Sequence, residues 1–282
     1  MSFLIQLRDR IKGIDTIKKI THAMRLISMS SRSRLKSKEE PLREYIQTAT
    51  QLLTRIQPHA PHWQNPLINP NPDSPERHLI ILIGSQRGLC GNFNTVLFRF
   101  FETIVPEKKS SLSFILVGKK AINYLENNRN YNIIKQFPDL HAKTITTISA
   151  EITHLVTKEE ANFTTVSVIS NKLKTFFVQK PHETILIPFT FDRSASHSTQ
   201  LEEYYWEQSP EQLLDQLTYQ LLEINIHYLL FQSLLAEHAA RFISMDNATR
   251  NAQNLLEETQ LQYNKLRQAK ITKELTELVS NM

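Results

Sequence analysis

Hydrophobic residues recur every three or four positions over two long stretches, one at each end of the chain. In the C-terminal stretch, residues 211–282 contain neither proline nor glycine. Its apolar stripe consists of Leu214, Leu217, Leu221, Ile224, Tyr228, Phe231, Leu235, His238, Phe242, Met245, Ala248, Ala252, Leu255, Thr259, Leu266, Ile271, Leu275 and Leu278. This spacing predicts one amphipathic helix about 105 Å long, with Ser209 as its N-cap and Pro210 in its first turn.

The N-terminal stretch repeats the same pattern on a shorter scale. Its stripe consists of Leu4, Leu7, Ile11, Ile14, Ile17, Ile20, Met24 and Ile27. Only Gly13 weakens this helix before Pro41, and a helix can resume from 42 to 56. Two long helices with narrow apolar stripes, at opposite ends of one chain, are predicted to pair as an antiparallel coiled coil.

The part between the two helices differs in character. A cluster of six prolines from Pro58 to Pro75 predicts a linker without regular structure. After it, apolar runs at 78–83, 113–117, 163–170 and 183–188 predict strands, and helices are predicted at 92–105, 119–127 and 144–160. This alternation is typical of a small, mainly parallel, Rossmann-like α/β sheet, whose strand order the sequence does not give.

The predicted fold class therefore combines a long antiparallel coiled coil of the terminal helices with a small α/β domain in the middle. The segments are an N-terminal coiled-coil helix (1–57), a proline-rich linker (58–75), an α/β domain (76–194), a second linker (195–209) and a C-terminal coiled-coil helix (210–282). The five glycines in 282 residues agree with a fold dominated by long helices.

The positive charge of the chain indicates which kinds of surface it can bind. The net charge is +5, and residues 1–38 contain ten basic residues against Asp9 and Asp15. The basic residues are Arg8, Arg10, Lys12, Lys18, Lys19, Arg25, Arg32, Arg34, Lys36 and Lys38. Such a helix either keeps a solvated face or contacts an acidic surface along its length. Nucleic acid is disfavoured because no aromatic residue for base stacking lies between Phe3 and Tyr45.

Other features limit the environment of the protein. The only cysteine, Cys90, excludes an intrachain disulfide and a cysteine-based metal cluster. No apolar run approaches the 18 residues of a membrane span, and charges at Arg8 to Lys12 replace the apolar core of a signal peptide. We therefore expect a protein that is cytosolic or peripheral to a membrane.

The strongest candidate for chemistry is the glycine cluster at 84–91 (GSQRGLCG), between a predicted strand and a predicted helix. A triphosphate loop requires Gly-Lys-Ser/Thr, but Gly88 is followed by Leu89 and Cys90, and the dinucleotide spacing is also absent. A tight turn packed against a neighbour is therefore the favoured interpretation. The ten histidines show no metal-ligand spacing, and Cys90 has no histidine partner nearby in sequence. The sequence thus predicts no catalytic residue, no metal and no cofactor.

A polar group near the end of the C-terminal helix is more informative. Arg267, Gln268, Thr272 and Glu274 lie within eight residues of each other on the predicted helix. Such a group is either a fraying helix end or a set of side chains that contacts a surrounding surface.

Three segments together resemble the gamma subunit of the rotary F-type ATP synthase. Residues 18–25 (KKITHAMR) are similar to the family's Q-K-I-T-x-A-M motif, and residues 87–94 (RGLCGNFN) to its D-R-G-L-C-G-x-x-N turn. The third segment runs from 237–241 (EHAAR) through Met245, 248–252 (ATRNA) and 263–269 (YNKLRQA) to 271–275 (ITKEL). The segments keep the order and spacing of the family, so the resemblance covers essentially the whole chain.

The resemblance implies a role as the central stalk. In this family the terminal helices form a shaft inside a ring of three alpha and three beta subunits, and the α/β domain lies at the foot beside the epsilon subunit and the membrane c-ring. The ring carries catalysis, and the shaft couples proton-driven rotation to the conformational cycle of the beta subunits. The resemblance therefore implies a subunit without an active site or cofactor, peripheral on the cytoplasmic face of the bacterial inner membrane.

Individual residues follow from the resemblance by position. Met24 matches the family's methionine at the coupling contact with beta, and Arg267, Gln268, Thr272 and Glu274 match its C-terminal contact residues. Glu223 matches the acid near the rotor foot.

The chain departs from the family at three places. The family's V-A-A-S-K after the methionine is replaced by 26–32 (LISMSSR), its acid before R-G-L is Gln86, and its Arg-Tyr pair before the foot acid is Gln220-Leu221. The paired-cysteine insert of the redox-regulated chloroplast form is absent, so thiol regulation is not expected.

Three further hypotheses stay open from the residues alone. An enzyme with an α/β nucleotide domain would bind nucleotide as an isolated chain. A basic coiled-coil protein that binds nucleic acid would show steeply salt-dependent DNA binding. A divergent copy of the subunit would fold but would not assemble.

Overall fold

The computed structural model describes residues 2–70, 77–105, 112–126, 131–158, 163–190 and 206–280. The helices are α1 (Ser2–Lys36), α2 (Glu39–Ile56), α3 (Phe93–Ile104), α4 (Lys119–Glu126), α5 (Ile145–Thr157) and α6 (Pro210–Ser280). The strands are β1 (His78–Ile83), β2 (Leu112–Val117), β3 (Asn132–Phe137), β4 (Thr165–Thr175) and β5 (Val178–Ile187). The chain divides into two compact units, a helical unit (residues 1–31 and 241–282) and an α/β unit (residues 32–240).

In the helical unit, α1 and α6 lie side by side in opposite directions. Arg25 donates from Nη1 to Asp246 Oδ1 at 2.7 Å, and Thr249 Oγ1 donates to Thr21 Oγ1 at 3.0 Å. Because the later residue of α6 meets the earlier residue of α1, the pairing is antiparallel. The predicted coiled coil of the terminal helices is confirmed.

The seam between these helices, however, does not follow the apolar stripe predicted for α1. From Leu7, steps of seven residues lead to Thr21 and Ser28, and all three are buried. The apolar positions of α1 follow two consecutive spacings of three residues between Ile14 and Ile20, whereas the seam follows spacings of seven. The apolar residues Ile17, Ile20 and Ile27 therefore lie on a different side of the helix from the seam. Consequently Ile17, Ile20 and Ile27 are 55%, 54% and 65% exposed, and we call these three residues the outer apolar row. The prediction that they face α6 was wrong.

On α6, the predicted stripe is largely confirmed. In the helical unit Met245, Ala252 and Thr259 are buried as predicted. Leu255 is the exception within the paired segment, because it is 45% exposed while its neighbour Leu256 is buried. The seam residue between Ala252 and Thr259 is therefore Leu256, one position after the predicted Leu255.

We expect substitutions to distinguish the seam from the outer apolar row. Leu7→Ala should lower the free energy of unfolding by about 2–3 kcal/mol, because it removes a buried side chain. Ile20→Ala should change it by less than about 0.5 kcal/mol, because that side chain is mostly exposed. Urea unfolding of the full chain, followed by circular dichroism, measures both. Equal losses would contradict the assigned seam.

In the α/β unit, the five strands form one sheet in the order β3-β2-β1-β4-β5. β1 pairs in parallel with both β2 and β4, β2 pairs in parallel with β3, and β5 is antiparallel to β4. The prediction of a small, mainly parallel sheet is therefore confirmed. β3 was missed because it is an edge strand with polar residues, in which only Phe137 is buried.

Element ends also differ from the predictions. The last two strands are longer than predicted and form a hairpin, whose turn lies at 176–177. α5 ends at Thr157, three residues before its predicted end. α2 begins at Glu39 and so includes Pro41 in its first turn, where proline is tolerated, instead of starting after it.

Helices cover both faces of the sheet. α3 and α4 pack on one face, around Leu97, Phe101 and Phe114. α5 and the middle of α6 pack on the other, where Leu222, Ile226, Leu229, Leu230, Phe231, Leu234 and Leu235 join the core. The start of α6 packs against α2, and the Ser209 hydroxyl accepts the Gln212 amide at 3.3 Å, as the N-cap prediction required.

The first linker is more ordered than its prolines predicted. Its described part, up to residue 70, begins with a 3₁₀ turn at Gln57–His59. Trp63 Nε1 and Asn65 Nδ2 both donate to Asp215 Oδ1 at 2.8 Å, which fixes the linker to the first turns of α6. Residues 71–75 of this linker and 195–205 of the second lie outside the described residues.

Within the described residues, none of the helices is both long and apolar enough to cross a membrane.

Candidate functional site

The end of α6 is a helix with every side chain exposed. All residues from 264 to 280 are exposed, among them the predicted contact residues Arg267, Gln268, Thr272 and Glu274. The contacts of Arg25 with Asp246 and of Thr21 with Thr249 set the register of the two antiparallel helices. Extended along the helices, this register places the first turn of α1 opposite about residue 268, so α6 continues for about three turns beyond the start of α1. We call residues 264–280 the α6 tip.

The four predicted residues lie on two sides of the α6 tip. Arg267 and Glu274 are seven residues apart and share one side, while Gln268 and Thr272 share another. Thr272 Oγ1 donates to the Gln268 carbonyl at 3.0 Å, and Lys270 Nζ lies 3.5 Å from Glu274 Oε1. Between the two sides lie exposed apolar side chains, namely Ile271, Leu275 and Leu278. The tip therefore combines an apolar strip with polar groups on both sides.

Met24 lies elsewhere in the helical unit. Its side chain is half-buried, and its spacing of four and three residues from Ile20 and Ile27 places it beside the outer apolar row. Arg25, its neighbour, pairs with Asp246, which is about 30 Å along α6 from Arg267. The structure thus brings the four tip residues together but leaves Met24 at a separate level of the helical unit.

Ion pairs around Asp246 hold α1 against α6 next to Met24. The Asp246 carboxylate accepts from Arg25 Nη1 at 2.7 Å through Oδ1 and lies 2.8 Å from Arg250 Nη2 through Oδ2. The hydrogen bond from Arg25, aided by the charge of Arg250, lowers the pKa of Asp246 below its usual value.

The helical unit should therefore lose stability in acid through Asp246. Because the folded-state pKa lies below the unfolded one, the contribution is complete above the usual value of about 3.9 and disappears as pH falls through the folded pKa. Asp246→Asn should cost about 1 kcal/mol at pH 7 and almost nothing near pH 2. Urea unfolding over this pH range, with Asp9→Asn as an exposed control, measures it. A cost independent of pH would contradict this account.

The glycine cluster forms a closed turn in the α/β unit. Cys90 and Phe93 are buried against Ala236 and Ala240 of α6, which confirms a turn packed against a neighbour. The sequence reasoning missed Glu237, which is 3% exposed and lies against this turn. The available signal was an acidic residue within the mostly apolar run 234–240 (LLAEHAA).

The acid assigned to the foot, Glu223, is half-buried on α6 near Leu221 and Ile224, which pack toward α2. A second carboxylate, Glu207, is exposed just before α6 begins, next to Trp206. Trp206 packs edge-on against His59 with ring centroids 5.2 Å apart. Exposure alone therefore favours Glu207 over Glu223 as a group that an external partner can reach.

Within the described part of the chain, no group of three or more His, Cys, Asp or Glu residues is arranged to hold a metal ion.

Comparison with known proteins identifies relatives along the whole chain. A family model described as ATP synthase matches residues 4–282. The ATP synthase gamma chain of Aquifex aeolicus is 31% identical over 281 residues, which cover 97% of this chain and 94% of the relative. The gamma chain of Granulibacter bethesdensis is 31% identical over 297 aligned positions, covering 99% and 98%.

Solved structures share the fold. A chain of the Euglena gracilis mitochondrial ATP synthase, in a structure of OSCP, F1 and c-ring, matches with a TM-score of 0.68 at 17% identity, covering 100% of this chain and 94% of that one. A chain of the Tetrahymena thermophila mitochondrial ATP synthase central stalk and c-ring matches with a TM-score of 0.60 at 20% identity, covering 81% and 99%.

Proposed function

The chain belongs to the ATP synthase gamma chain family and is the rotor-shaft subunit of an F-type ATP synthase; from this premise we propose how it acts. The helical unit turns inside a ring of three alpha and three beta subunits and couples ion-driven rotation to the conformational cycle of the beta subunits. The chain carries no catalytic site of its own, and ATP is made or hydrolysed in the ring.

One observation carries this proposal, namely the exposed α6 tip. Its apolar strip consists of Ile271, Leu275 and Leu278, which are all exposed. Contiguous exposed apolar surface of this kind usually marks an interaction site. In a family that forms a stalk within a ring, the ring is the surface that covers it. We propose that Arg267, Gln268, Thr272 and Glu274 contact the beta subunits on either side of this strip.

The asymmetry of the helical unit supplies the coupling. One side of α1 presents the outer apolar row and Met24, whereas other sides present basic residues such as Arg8 and Lys19. Each beta subunit therefore meets a different surface, and a surface that binds one beta conformation better than another shifts the population toward it. Exposed ionic contacts contribute about 0–1 kcal/mol each, so the shaft holds its partners without arresting rotation.

The α/β unit provides the foot in this proposal. There the subunit contacts the epsilon subunit and the membrane c-ring, and it associates with the membrane only through the complex, on the cytoplasmic face of the bacterial inner membrane. Glu223 is the acid proposed for the ring contact.

A substitution at Glu223 tests the foot contact. Glu223→Gln should reduce proton pumping at unchanged ATP hydrolysis, because it removes the charge proposed to contact the ring. Glu207→Gln is the matched comparison, since Glu207 is exposed near the same end of α6. Pumping is measured in vesicles by quenching of a pH-sensitive dye. A loss confined to Glu207→Gln would move the contact to the start of α6 and contradict the assignment of Glu223.

Reconstitution tests the function as a whole. The chain is mixed with its cognate alpha and beta subunits, and any complex is isolated and assayed for ATP hydrolysis. We expect a complex with three alpha, three beta and one gamma subunit and stimulated hydrolysis. A folded chain that forms no complex would contradict the proposal and support a divergent copy. In that case, ATP binding by the isolated chain would favour a nucleotide-dependent enzyme, and DNA binding would favour a nucleic-acid-binding protein.

A further inference from the structure

A buried carboxylate from α6 lies against the glycine turn that joins β1 to α3. Glu237 is 3% exposed, and its Oε2 accepts the backbone amide of Gln86 at 3.4 Å. The residues around it on the helix, Ala236 and Ala240, are small and buried, so the helix approaches the turn closely. A charged group at this depth requires partners that offset its desolvation.

The turn occupies a special place in the topology of the sheet. The order β3-β2-β1-β4-β5 reverses its direction of growth between β1 and β4, and the turn follows the carboxyl end of β1. In open α/β sheets, the crevice at this reversal is where ligands such as dinucleotides bind. β4 borders it too, because Asn171 in that strand is buried and donates from Nδ2 to the Phe93 carbonyl at 3.0 Å.

The chain itself fills this crevice. The Ser85 amide donates to Asn94 Oδ1 at 3.0 Å, and the Gln86 amide donates to Glu237, so two backbone donors of the turn bind internal oxygens. The backbone at Gly118 also packs tightly against the start of the turn. Gly118 has a φ of +90°, and a Cβ there would lie 2.3 Å from the Gly84 carbonyl oxygen. The two amide donors, of Ser85 and Gln86, are therefore already used by oxygen atoms of the chain itself.

We propose that Glu237 is an internal anion that occupies the ligand position of this crevice and thereby seats α6 on the sheet. Because the Gln86 amide donates into this position, the position accepts a small free carboxylate when the Glu237 side chain is removed. This inference goes beyond the rotor function and is independent of it.

Rescue by a free carboxylate tests the proposal. Glu237→Ala leaves a space of the size of the lost side chain, whereas Glu237→Leu fills it with an apolar group. Thermal unfolding of the full chain is compared in sodium formate and in sodium chloride at equal ionic strength. Formate should raise the Tm of Glu237→Ala by about 2–4 °C and should leave Glu237→Leu and the unaltered protein unchanged. An equal effect of formate and chloride on Glu237→Ala would overturn the proposal.

A second variant keeps the test decisive if Glu237→Ala does not fold. Glu237→Gln preserves the shape and an accepting oxygen but removes the charge. We expect its Tm to fall by several degrees and the Gln86 amide to exchange its hydrogen faster, while the exposed control Glu258→Gln keeps the Tm of the unaltered protein. A Tm for Glu237→Gln equal to that of the unaltered protein would show that no anion is required there and would overturn the proposal.

Discussion

Replacing Gln268 and Thr272 together by leucine is expected to lower ATP hydrolysis by the reconstituted complex about tenfold or more, which corresponds to about 1.4 kcal/mol on the barrier of the limiting step. Both side chains are exposed on the α6 tip, on the same side and one turn apart. The two leucines remove the hydrogen-bonding groups and enlarge the apolar strip of the tip. The beta subunits, which must release the tip at each step of rotation, would then bind it too tightly.

The folding of the isolated chain should hardly respond to this change. Neither side chain is buried, and the Thr272 hydroxyl donates only to the backbone of its own helix. The matched control is Asn247→Leu with Asn251→Leu, a pair with the same spacing that is also exposed on α6 but lies about 30 Å from Gln268 and Thr272. Unaltered turnover in the Gln268 and Thr272 variant, or an equal loss in the control, would contradict a contact at the tip.

Met24→Lys is expected to uncouple proton pumping from ATP hydrolysis, so that pumping per ATP falls severalfold while hydrolysis continues. Methionine offers a soft, adaptable apolar contact beside the outer apolar row, and such a contact can slide. A lysine there lies next to Arg25 and makes charge-assisted hydrogen bonds to any acidic group of beta, which are stronger and directional. The shaft would then bind one beta conformation too well for rotation to follow the ion flow.

Leu26→Lys controls for the added charge. Leu26 is 54% exposed and close in sequence but points about 160° away from Met24 around the helix, and it is not three or four residues from any member of the outer apolar row, so the same charge does not meet that row. The measurement is the ratio of initial proton uptake to ATP hydrolysis in vesicles. Pumping that stays proportional to hydrolysis in Met24→Lys would contradict the coupling role of this residue.

The long helices could be predicted because their signals are repeated over many residues. The absence of proline and glycine after 210, together with the N-cap Ser209, gave the start and continuity of α6. The seam of α1 could not be predicted in the same way, because apolar residues at Ile17, Ile20 and Ile27 follow a helical period yet lie outside the contact with α6. An apolar side chain that serves a partner protein produces the same pattern as one that serves the fold.

The site was predicted unevenly for the same physical reason. Short-range patterns placed the glycine turn between β1 and α3, but the contact from Gln86 to Glu237 joins residues 151 positions apart, and no local pattern encodes such a contact. The family resemblance supplied Met24, Glu223 and the four tip residues, and the structure adds which of them are exposed. The pairing of strands β1 and β4 likewise depends on contacts over about 90 residues.

The most direct test of the rotor function is to watch the subunit turn. Cys90 is the only cysteine and is buried, so a cysteine introduced at the exposed Lys180 carries a single probe on the α/β unit. With the alpha and beta subunits of the complex fixed to a surface, we expect ATP to drive rotation of the probe in one direction, in three steps per turn. A complex that hydrolyses ATP while the probe stays still, or turns equally in both directions, would contradict the proposal that this chain is the shaft.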